Sequence, residues 1–373
     1  MKSVFKFLKS EPVLTIAALA AIASCFFVTP DKEYLSYCNF EVLGILLCLM
    51  LVVAGFTHCG LFDLLTAKIS SKIKTEKTLI LLLSLVCFFS SALITNDVAL
   101  ITFVPFSIAL LKNQGSKTLI FTVTLETIAA NLGSLLTPIG NPQNLYLYSH
   151  YSMSINDFFA VTLPLGLVCL ILVCIVGMVR KNSSLSASSG GNAYTVKKTA
   201  LIVYSLLFAM SVLSVLGIIP WYISLICVCI VVFFHEKKLF LKADYILLLT
   251  FVCFFVLVGN IARIDAVSYA IGSIINGKET VFSALISQVI SNVPAAAMLS
   301  AFTDNAKALI TGTNIGGLGT VIASMASLIS YRFISKTEGV KSSRYLAFFS
   351  AINFALLIVL LAFFAFGEFA DYI

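Results

Sequence analysis

Residues 131–144 read NLGSLLTPIGNPQN, a polar and glycine-rich string inside an apolar run, and a polar triplet, TND, precedes it at 95–97. The second half of the chain repeats this order, with SNVP at 291–294 and TNIGGLGT at 313–320. At membrane depth, a backbone leaves the helix only where protein or a water-lined cavity satisfies its polar groups. Matching interruptions in the two halves of a membrane protein indicate the binding site of a transporter.

The composition places this chain in a membrane. Of its 373 residues, 60% are hydrophobic and only 11% are charged, whereas a soluble domain has about 25% charged residues. The ten cysteines lie mostly in apolar runs and form no CxxC pair. We therefore expect neither a disulfide framework nor a metal centre other than a site for Na⁺. The chain also lacks an ATP-binding loop of the GxxxxGK-Ser/Thr type, so we expect no cofactor and no ATP-driven step.

The apolar runs predict an all-α polytopic membrane protein with nine full spans and two re-entrant hairpins, at 78–111 and 281–302. The arms of the second hairpin, 281–290 and 295–302, reach only about 15 and 12 Å at 1.5 Å per residue. Neither arm can cross a hydrocarbon core of about 30 Å. The full spans are predicted at 12–29, 40–60, 117–149, 158–179, 199–218, 221–236, 244–262, 308–331 and 345–367.

Positive charge sets the predicted orientation. With a cytoplasmic N-terminus, all but four of the 24 Lys and Arg residues fall on the cytoplasmic side, as expected from the preference of basic loops for that side. The four outside are Lys32, Arg263, Lys278 and Lys307. We expect a multi-pass protein of the cell membrane with its N-terminus in the cytoplasm and its C-terminus outside. The lysine-flanked run at 12–29 lacks a convincing cleavage site, so it is interpreted as a span and not a signal peptide.

This topology makes the two halves antiparallel copies, which is an inverted repeat. Each half runs through a span, a hairpin, a broken span and a span. The predicted organisation is a first repeat at 1–180, a cytoplasmic linker with a connecting span at 181–220, and an inverted second repeat at 221–373. The two broken transmembrane helices are 117–149 and 308–331.

The hairpin tips and the breaks carry the predicted substrate site. An asparagine offers both donors and an acceptor, so it can bridge helix ends, a cation and a substrate oxygen, or simply cap a helix end. By symmetry, the substrate should lie between the two tips and the two breaks, with positive potential supplied by half-helix N-termini. The predicted substrate contacts are Asn96, Thr137, Asn141, Asn292, Asn314 and Thr320.

Asp97 and Glu126 are the acids that lie well within apolar stretches, where ionisable residues are functional by default. Asp97 could bind Na⁺ or carry a proton, or it could cap the helix that follows. Glu126 could take part in ion binding or only tie helices together. Gly312 and Gly316 have the GxxxG spacing, so a helix-packing role for the second break stays open.

These tip and break motifs resemble the ion transporter superfamily, which includes divalent anion:sodium symporters, citrate transporters and arsenite efflux permeases. The resemblance covers residues 40–365. It implies Na⁺ and substrate carboxylate binding by a Ser-Asn-Thr motif at each tip, an elevator-type movement and a homodimer. Asp97 and Val293 depart from the threonine of that motif, and the Asn-Asp pair is more similar to the arsenite and proton-antiport branches. The predicted coupling-ion residues are Thr95, Asp97, Asn131, Gly133, Asn144, Ser291 and Gly316.

The sequence therefore predicts a secondary active transporter of a small anion or oxyanion, coupled to Na⁺ or H⁺ and with the bilayer as its surroundings. The alternative within this class is a Na⁺/H⁺ antiporter, in which Asp97 alternates between the two cations. A channel would need a continuous pore, which half-penetrating hairpins disfavour. An intramembrane enzyme would need a Ser/His, paired-Asp or His-Glu-x-x-His arrangement, and the chain has none. We expect no nucleic acid partner.

Overall fold

The computed structural model describes residues 11–62, 64, 75–180, 183 and 197–365. Within these ranges the chain forms 17 α-helices and no strand. The predictions for both termini and for most of the linker lie outside the described residues. The helices are α1 (Pro12–Ser24), α2 (Tyr34–Tyr37), α3 (Phe40–His58), α4 (Glu76–Ile94), α5 (Asn96–Leu111), α6 (Ser116–Gly133), α7 (Pro142–His150), α8 (Ile155–Met178), α9 (Lys198–Val215), α10 (Trp221–Glu236), α11 (Tyr245–Ala262), α12 (Asp265–Ile275), α13 (Glu279–Ile290), α14 (Asn292–Leu299), α15 (Ala306–Ile315), α16 (Met325–Ile334) and α17 (Ser342–Phe364).

Seven of the described helices are long and apolar enough to cross a membrane, namely α3, α4, α6, α8, α9, α11 and α17. The prediction of an all-α chain with several membrane-spanning helices is confirmed for this part of the molecule. Side chains such as Leu167, Leu206 and Phe234 are 60%, 67% and 81% exposed. Apolar side chains on the outside of long apolar helices suit contact with lipid and not with water.

The first predicted span is clearly shorter than the sequence suggested. Helix α1 has 13 residues where a span at 12–29 was predicted, whereas α10 has the 16 residues of the predicted span 221–236. The predicted span 308–331 consists of α15 and α16, of 10 residues each, because Gly316, Gly317 and Gly319 interrupt it and Gly319 has a φ of +102°. Conversely, α4 has 19 residues and is about 28 Å long. The first arm of the first hairpin is therefore long enough to cross on its own.

A single residue separates the two arms of each helical hairpin. Thr95 lies between α4 and α5 with a φ of 76°, and Ser291 lies between α13 and α14 with a φ of 78°. A positive φ in a residue other than glycine costs about 1–3 kcal/mol and persists only where the surroundings enforce it. In both hairpins, a backbone hydrogen bond to the break of the same half fixes the asparagine that follows this residue. The Asn96 N–H donates to the Gly140 carbonyl at 3.1 Å, and the Asn292 N–H donates to the Ala323 carbonyl at 2.9 Å.

Each hairpin packs against both interrupted segments. The first arms, α4 and α13, lie against α6 and α15, the helices that precede the breaks. The second arms pack against the opposite half of the chain. Helix α5 of the first half packs on α16, and α14 of the second half packs on α7. The second arm of each hairpin therefore contacts the helix that follows the break of the other half. This arrangement brings all four interruptions of the helical backbone to one place.

Three apolar clusters surround this place in the described part of the chain. The largest joins the first hairpin to α6, α8, α16 and α17. A second joins α3, α7, α11 and α14, and a third joins α3, α9 and α10. The polar tips and breaks lie between apolar layers, and their hydrogen bonds must therefore be made within the protein.

Candidate functional site

Asn131 is the residue in which the polar contacts of the two halves meet. Its Oδ1 accepts from Asn96 Nδ2 at 3.2 Å and from Ser324 Oγ at 3.0 Å. Its Nδ2 donates to the Gly317 carbonyl at 3.3 Å and to Ser327 Oγ at 3.2 Å. Asn131 is only 4% exposed. One side chain at the end of α6 thereby joins the first hairpin tip to the second break.

A second bridge consists of three asparagines. Asn141 Nδ2 donates to Asn314 Oδ1 at 3.0 Å, and Asn314 Nδ2 donates to Asn144 Oδ1 at 2.6 Å. The Asn144 N–H donates to Asn141 Oδ1 at 2.9 Å and so caps the start of α7. Asn141 Nδ2 also donates to Ser134 Oγ at 3.0 Å. All three asparagines are buried, and they connect the first break to the end of α15.

The second tip reaches the same place through Gly317. A Cβ at position 317 would lie 3.0 Å from Asn292 Nδ2, so the absence of a side chain permits the close approach of this tip to the break. The Ser291 hydroxyl faces the Ala323 carbonyl at 3.4 Å. Because Asn131 donates to the Gly317 carbonyl, Asn96 and Asn292 both lie next to the Asn131–Gly317 contact.

Thr320 and Thr137 occupy less central positions than the sequence predicted. The Thr320 hydroxyl donates to the Gln288 carbonyl at 3.1 Å, and its N–H donates to Gln288 Oε1 at 2.9 Å. The Thr137 hydroxyl donates to the Ala92 carbonyl of α4. Both hydroxyls therefore tie a break to a hairpin arm of its own half, outside the asparagine contacts.

The predicted coupling-ion glycines, Gly133 and Gly316, serve close helix contact. A Cβ at Gly133 would lie 2.0 Å from the Phe88 carbonyl oxygen of α4, and one at Gly316 would lie 2.8 Å from Ala284 Cα of α13. Gly312 is equally tight, with a Cβ placed 2.0 Å from Ser283 Oγ. The packing role that the GxxxG spacing left open is therefore present between α15 and α13. The Gly316 carbonyl is also occupied, because Gln288 Nε2 donates to it at 3.0 Å.

Asp97 faces a cavity and not the asparagine contacts. Its N–H donates to Asn96 Oδ1 at 3.0 Å, and its half-buried side chain lines a cavity of about 450 Å³. The same cavity includes Thr95 at the tip and Pro142 at the start of α7, and it extends to Lys242 and Asp244 before α11. Asp97 and Asp244 are close enough for their charges to interact. The first hairpin tip is therefore reached from the end of the molecule at which α11 begins.

A smaller cavity of about 310 Å³ lies towards the other end of α7 and α11. The Tyr146 hydroxyl there lies 2.9 Å from Ser300 Oγ and 3.4 Å from His150 Nδ1. The asparagine contacts lie between the two cavities along α7, which begins at Pro142 in the first and carries Tyr146 and His150 into the second. The second cavity is lined by Ser36, Tyr37, Asn39, Tyr146, His150, Phe255, Val258, Gly259, Ala262 and Ala301.

Several polar residues of the site were not among the predicted ones. Gln288 donates to the Gly316 and Leu318 carbonyls at 3.0 and 2.9 Å and so holds the second break in shape. Gln288 is the one side-chain amide within the apolar arm 281–290. A lone amide in an apolar helix indicates a buried hydrogen-bonding role, and this feature of the sequence would have predicted it. Ser134, Ser324 and Ser327 contact the asparagines, but single serines are common in membrane helices and gave no such signal.

Comparison with known proteins finds relatives of this chain among transporters. The family of citrate transporters matches residues 7–309. The uncharacterised transporter MJ0456 of Methanocaldococcus jannaschii is 31% identical over 84% of this chain and 86% of its own length. The inner membrane protein YbiR of Escherichia coli is 29% identical over 87% of this chain and 88% of its own. The silicon efflux transporter LSI3 of rice (Oryza sativa subsp. japonica) is 30% identical over 42% of this chain and 34% of its own.

These matches confirm the resemblance to the ion transporter superfamily that the tip and break motifs indicated. The family match spans the first hairpin, the first break and the second hairpin, and the MJ0456 and YbiR relatives align along most of both chains. The chain is a multi-pass membrane transporter, and it belongs to the citrate transporter family.

Proposed function

We propose that this protein is a secondary active transporter of the cell membrane that moves a small anion or oxyanion, coupled to Na⁺ or H⁺. The observation that carries the proposal is the convergence of two hairpin tips and two helix breaks on the Asn131–Gly317 contact. Backbone that leaves the helix at this depth is found where a transporter binds its substrate and coupling ion. The family description and the rice relative named for silicon efflux support a small solute of this kind.

The preference for an anion follows from the half-helices. Helices α5, α7 and α14 begin at Asn96, Pro142 and Asn292, so their N-terminal N–H groups meet near the asparagine contacts. The N-terminus of a helix carries about +0.5 of an elementary charge. The tips and breaks contain no Lys or Arg. We therefore assign anion attraction to these N-termini and to a bound cation, with Asn96, Asn141, Asn292 and Asn314 as the substrate contacts.

Asp97 is the proposed carrier of the coupling ion. It is the one carboxylate at a hairpin tip, and it faces the cavity that extends to Lys242 and Asp244. With the predicted cytoplasmic N-terminus, this end of the molecule lies in the cytoplasm. The cavity would then be the route by which Na⁺ or H⁺ exchanges between the cytoplasm and Asp97, and the described conformation would be open to the inside.

The inverted repeat is part of this proposal. Its support is the exchanged packing, in which α5 contacts α16 and α14 contacts α7, together with the matching left-handed residues Thr95 and Ser291. Two re-entrant hairpins that move with their breaks would carry the substrate between the two cavities. The elevator-type movement and the homodimer implied by the resemblance belong to the same proposal.

The experiment is ion-driven flux in proteoliposomes for the wild type and the Asp97→Asn variant. A panel of carboxylates and inorganic oxyanions is supplied under separate Na⁺ and pH gradients. The substitution keeps the shape and removes the charge, so we expect gradient-driven uptake to be lost. Asp265→Asn, at an exposed position at the start of α12, is the matched control and should transport like the wild type. Undiminished gradient-driven uptake by Asp97→Asn would reduce Asp97 to a helix cap.

A Na⁺/H⁺ antiporter is the second candidate. It is favoured by one observation, that Asp97 and Asp244 line the same cavity and would together attract cations. In the same vesicles, antiport would appear as Na⁺ movement driven by a pH gradient with no anion present. If this movement occurs, is lost in Asp97→Asn, and no anion of the panel is carried, the antiporter replaces the anion transporter as the function.

A further inference from the structure

Glu126 on α6 is a buried carboxyl group that the proposed site does not use. Its side chain has no exposure to solvent, and neither does that of Ser107 on α5, whose hydroxyl donates to Glu126 Oε1. Glu126 Oε2 has no hydrogen-bond partner in the described part of the chain. The two helices also pack their apolar side chains together in the largest cluster. The carboxyl group is thus closed off between the first hairpin and the first interrupted helix.

Within the residues that the structure describes, no positive charge balances this carboxyl group. The ion pairs among the described residues involve Glu236, Glu76, Asp31 and Glu33, and none includes Glu126. An ionised carboxylate without water, a counter-ion or a full set of donors is far more unfavourable in an apolar surrounding than a neutral acid. A neutral acid leaves one hydroxyl without a partner, which is a much smaller loss.

The titratable groups that face Glu126 from neighbouring helices are themselves buried and neutral in their ordinary form. Cys87 of α4 and Tyr345 of α17 lie within electrostatic reach of it. Cys169 of α8 is buried in the same apolar cluster. Arg332 of α16 is exposed and does not pair with Glu126 in the described part of the chain. Among the described helices, the groups near Glu126 offer no positive charge that would favour the carboxylate.

We infer that Glu126 is a proton-binding site, separate from Asp97, in which burial without a counter-ion keeps the acid neutral and the Ser107 hydroxyl fixes its position by donating to Oε1. Ser107 lies on the second arm of the first hairpin, and Glu126 lies five residues before Asn131 on the interrupted helix. The proton therefore sits between the two elements that meet at the proposed substrate site. For Glu126 to release this proton, water or a cation must enter between α5 and α6. Proton exchange therefore requires these two helices to separate. This site does not depend on which solute the protein carries.

Infrared difference spectroscopy of the purified full chain in lipid nanodiscs tests the inference. We compare the wild type with Glu126→Gln at neutral pH, because the amide retains an acceptor for Ser107 and cannot titrate. The expected difference is one carbonyl band of a neutral carboxylic acid, present in the wild type and absent from the variant. Replacing NaCl by choline chloride should leave this band unchanged, and transfer to D₂O should shift it slowly.

Ser107→Ala gives a second measurement that does not require Glu126→Gln to fold. It removes the donated hydrogen bond, so the acid band should move to higher frequency without losing intensity. The inference is overturned if the wild-type-minus-variant spectrum contains carboxylate bands in place of the acid band. It is equally overturned if Ser107→Ala leaves the acid region of the spectrum unchanged. Carboxylate bands that change when Na⁺ is removed would identify a cation site in its place.

Discussion

Replacing Asn131 by alanine should destabilise the protein far more than replacing an equally buried asparagine elsewhere. Asn131 makes four side-chain hydrogen bonds, with Asn96, Gly317, Ser324 and Ser327. Side-chain hydrogen bonds between membrane helices contribute about 0.6 kcal/mol each on average, and those of soluble proteins contribute about 1 kcal/mol. Four bonds therefore give about 2–4 kcal/mol, and the partners left unpaired in a buried place add to this loss.

Asn353 of α17 is the matched control. It is as buried as Asn131, but its Nδ2 makes one hydrogen bond, to the Phe349 carbonyl at 2.8 Å. Its Oδ1 has no partner in the described part of the chain. Asn353→Ala removes the same side-chain volume as Asn131→Ala. It also removes one hydrogen bond and one oxygen that has no partner in the described part of the chain. We expect it to lower the free energy of unfolding by no more than about 1 kcal/mol.

The assay is equilibrium unfolding in mixed micelles, followed by far-ultraviolet circular dichroism, for the wild type, Asn131→Ala and Asn353→Ala. The first variant should be less stable than the second by at least about 2 kcal/mol, given the difference in hydrogen bonds. Two variants that unfold within about 0.5 kcal/mol of each other, less than the contribution of one such bond, would refute the reasoning. Asn131 would then not hold the two halves together.

Three further outcomes follow from contacts outside this residue. Gln288→Leu removes the side-chain amide that donates to two carbonyls of the second break. We expect the free energy of unfolding to fall by about 2 kcal/mol and the backbone amides of residues 316–320 to exchange their hydrogens faster. Gly312→Ala places a Cβ 2.0 Å from Ser283 Oγ and 2.3 Å from the Thr280 carbonyl oxygen. It should lower the free energy of unfolding by about 3 kcal/mol or more, because a backbone oxygen cannot rotate away, and a paired Ser283→Ala change, which removes only the hydroxyl, should recover no more than part of that loss. The side-chain hydrogen bond from Arg263 holds the pKa of Asp31 below its usual value. The stability that this pair contributes is therefore present above the pKa that Asp31 has in the unfolded chain, and it is lost as the pH falls through the lower pKa of the folded state. Melting curves of Arg263→Gln and wild type should therefore converge in acid, and a gap that stays constant with pH would contradict this.

The sequence predicts the class of fold and the places where the helices are interrupted. Apolar runs and their lengths depend on local composition, so the all-α membrane architecture is readable without tertiary information. The interruptions at 95–97, 131–144, 291–294 and 313–320 follow from local polarity and from glycine and proline. The structure ends or begins a helix in each of these stretches. The left-handed conformations of Thr95 and Ser291 were not predictable, because tertiary hydrogen bonds enforce them on residues that do not favour them.

The partners of the site residues could not be predicted in the same way. Asn131 contacts Ser324 and Ser327 across nearly 200 positions, and nothing local in the sequence specifies that pairing. The glycines of α15 show the opposite problem. Their spacing predicts both a helix break and close packing, and only the position of α13 decides that Gly312 and Gly316 serve packing. Asp97 was predicted to bind the coupling ion together with Asn131 and Asn144, whereas its side chain lines the neighbouring cavity.

Isothermal titration calorimetry of anion binding, repeated at several Na⁺ concentrations and pH values, tests the central claim most directly. If anion attraction comes from half-helix N-termini and a bound cation, the coupling ion must raise the affinity for the anion, and the anion must raise the affinity for the ion by the same factor. We expect the dissociation constant of the transported anion to fall as Na⁺ is added or as the pH is lowered, and this dependence to be absent in Asp97→Asn. An anion that binds the wild type equally tightly without Na⁺ and from mildly acidic to mildly alkaline pH would contradict the account.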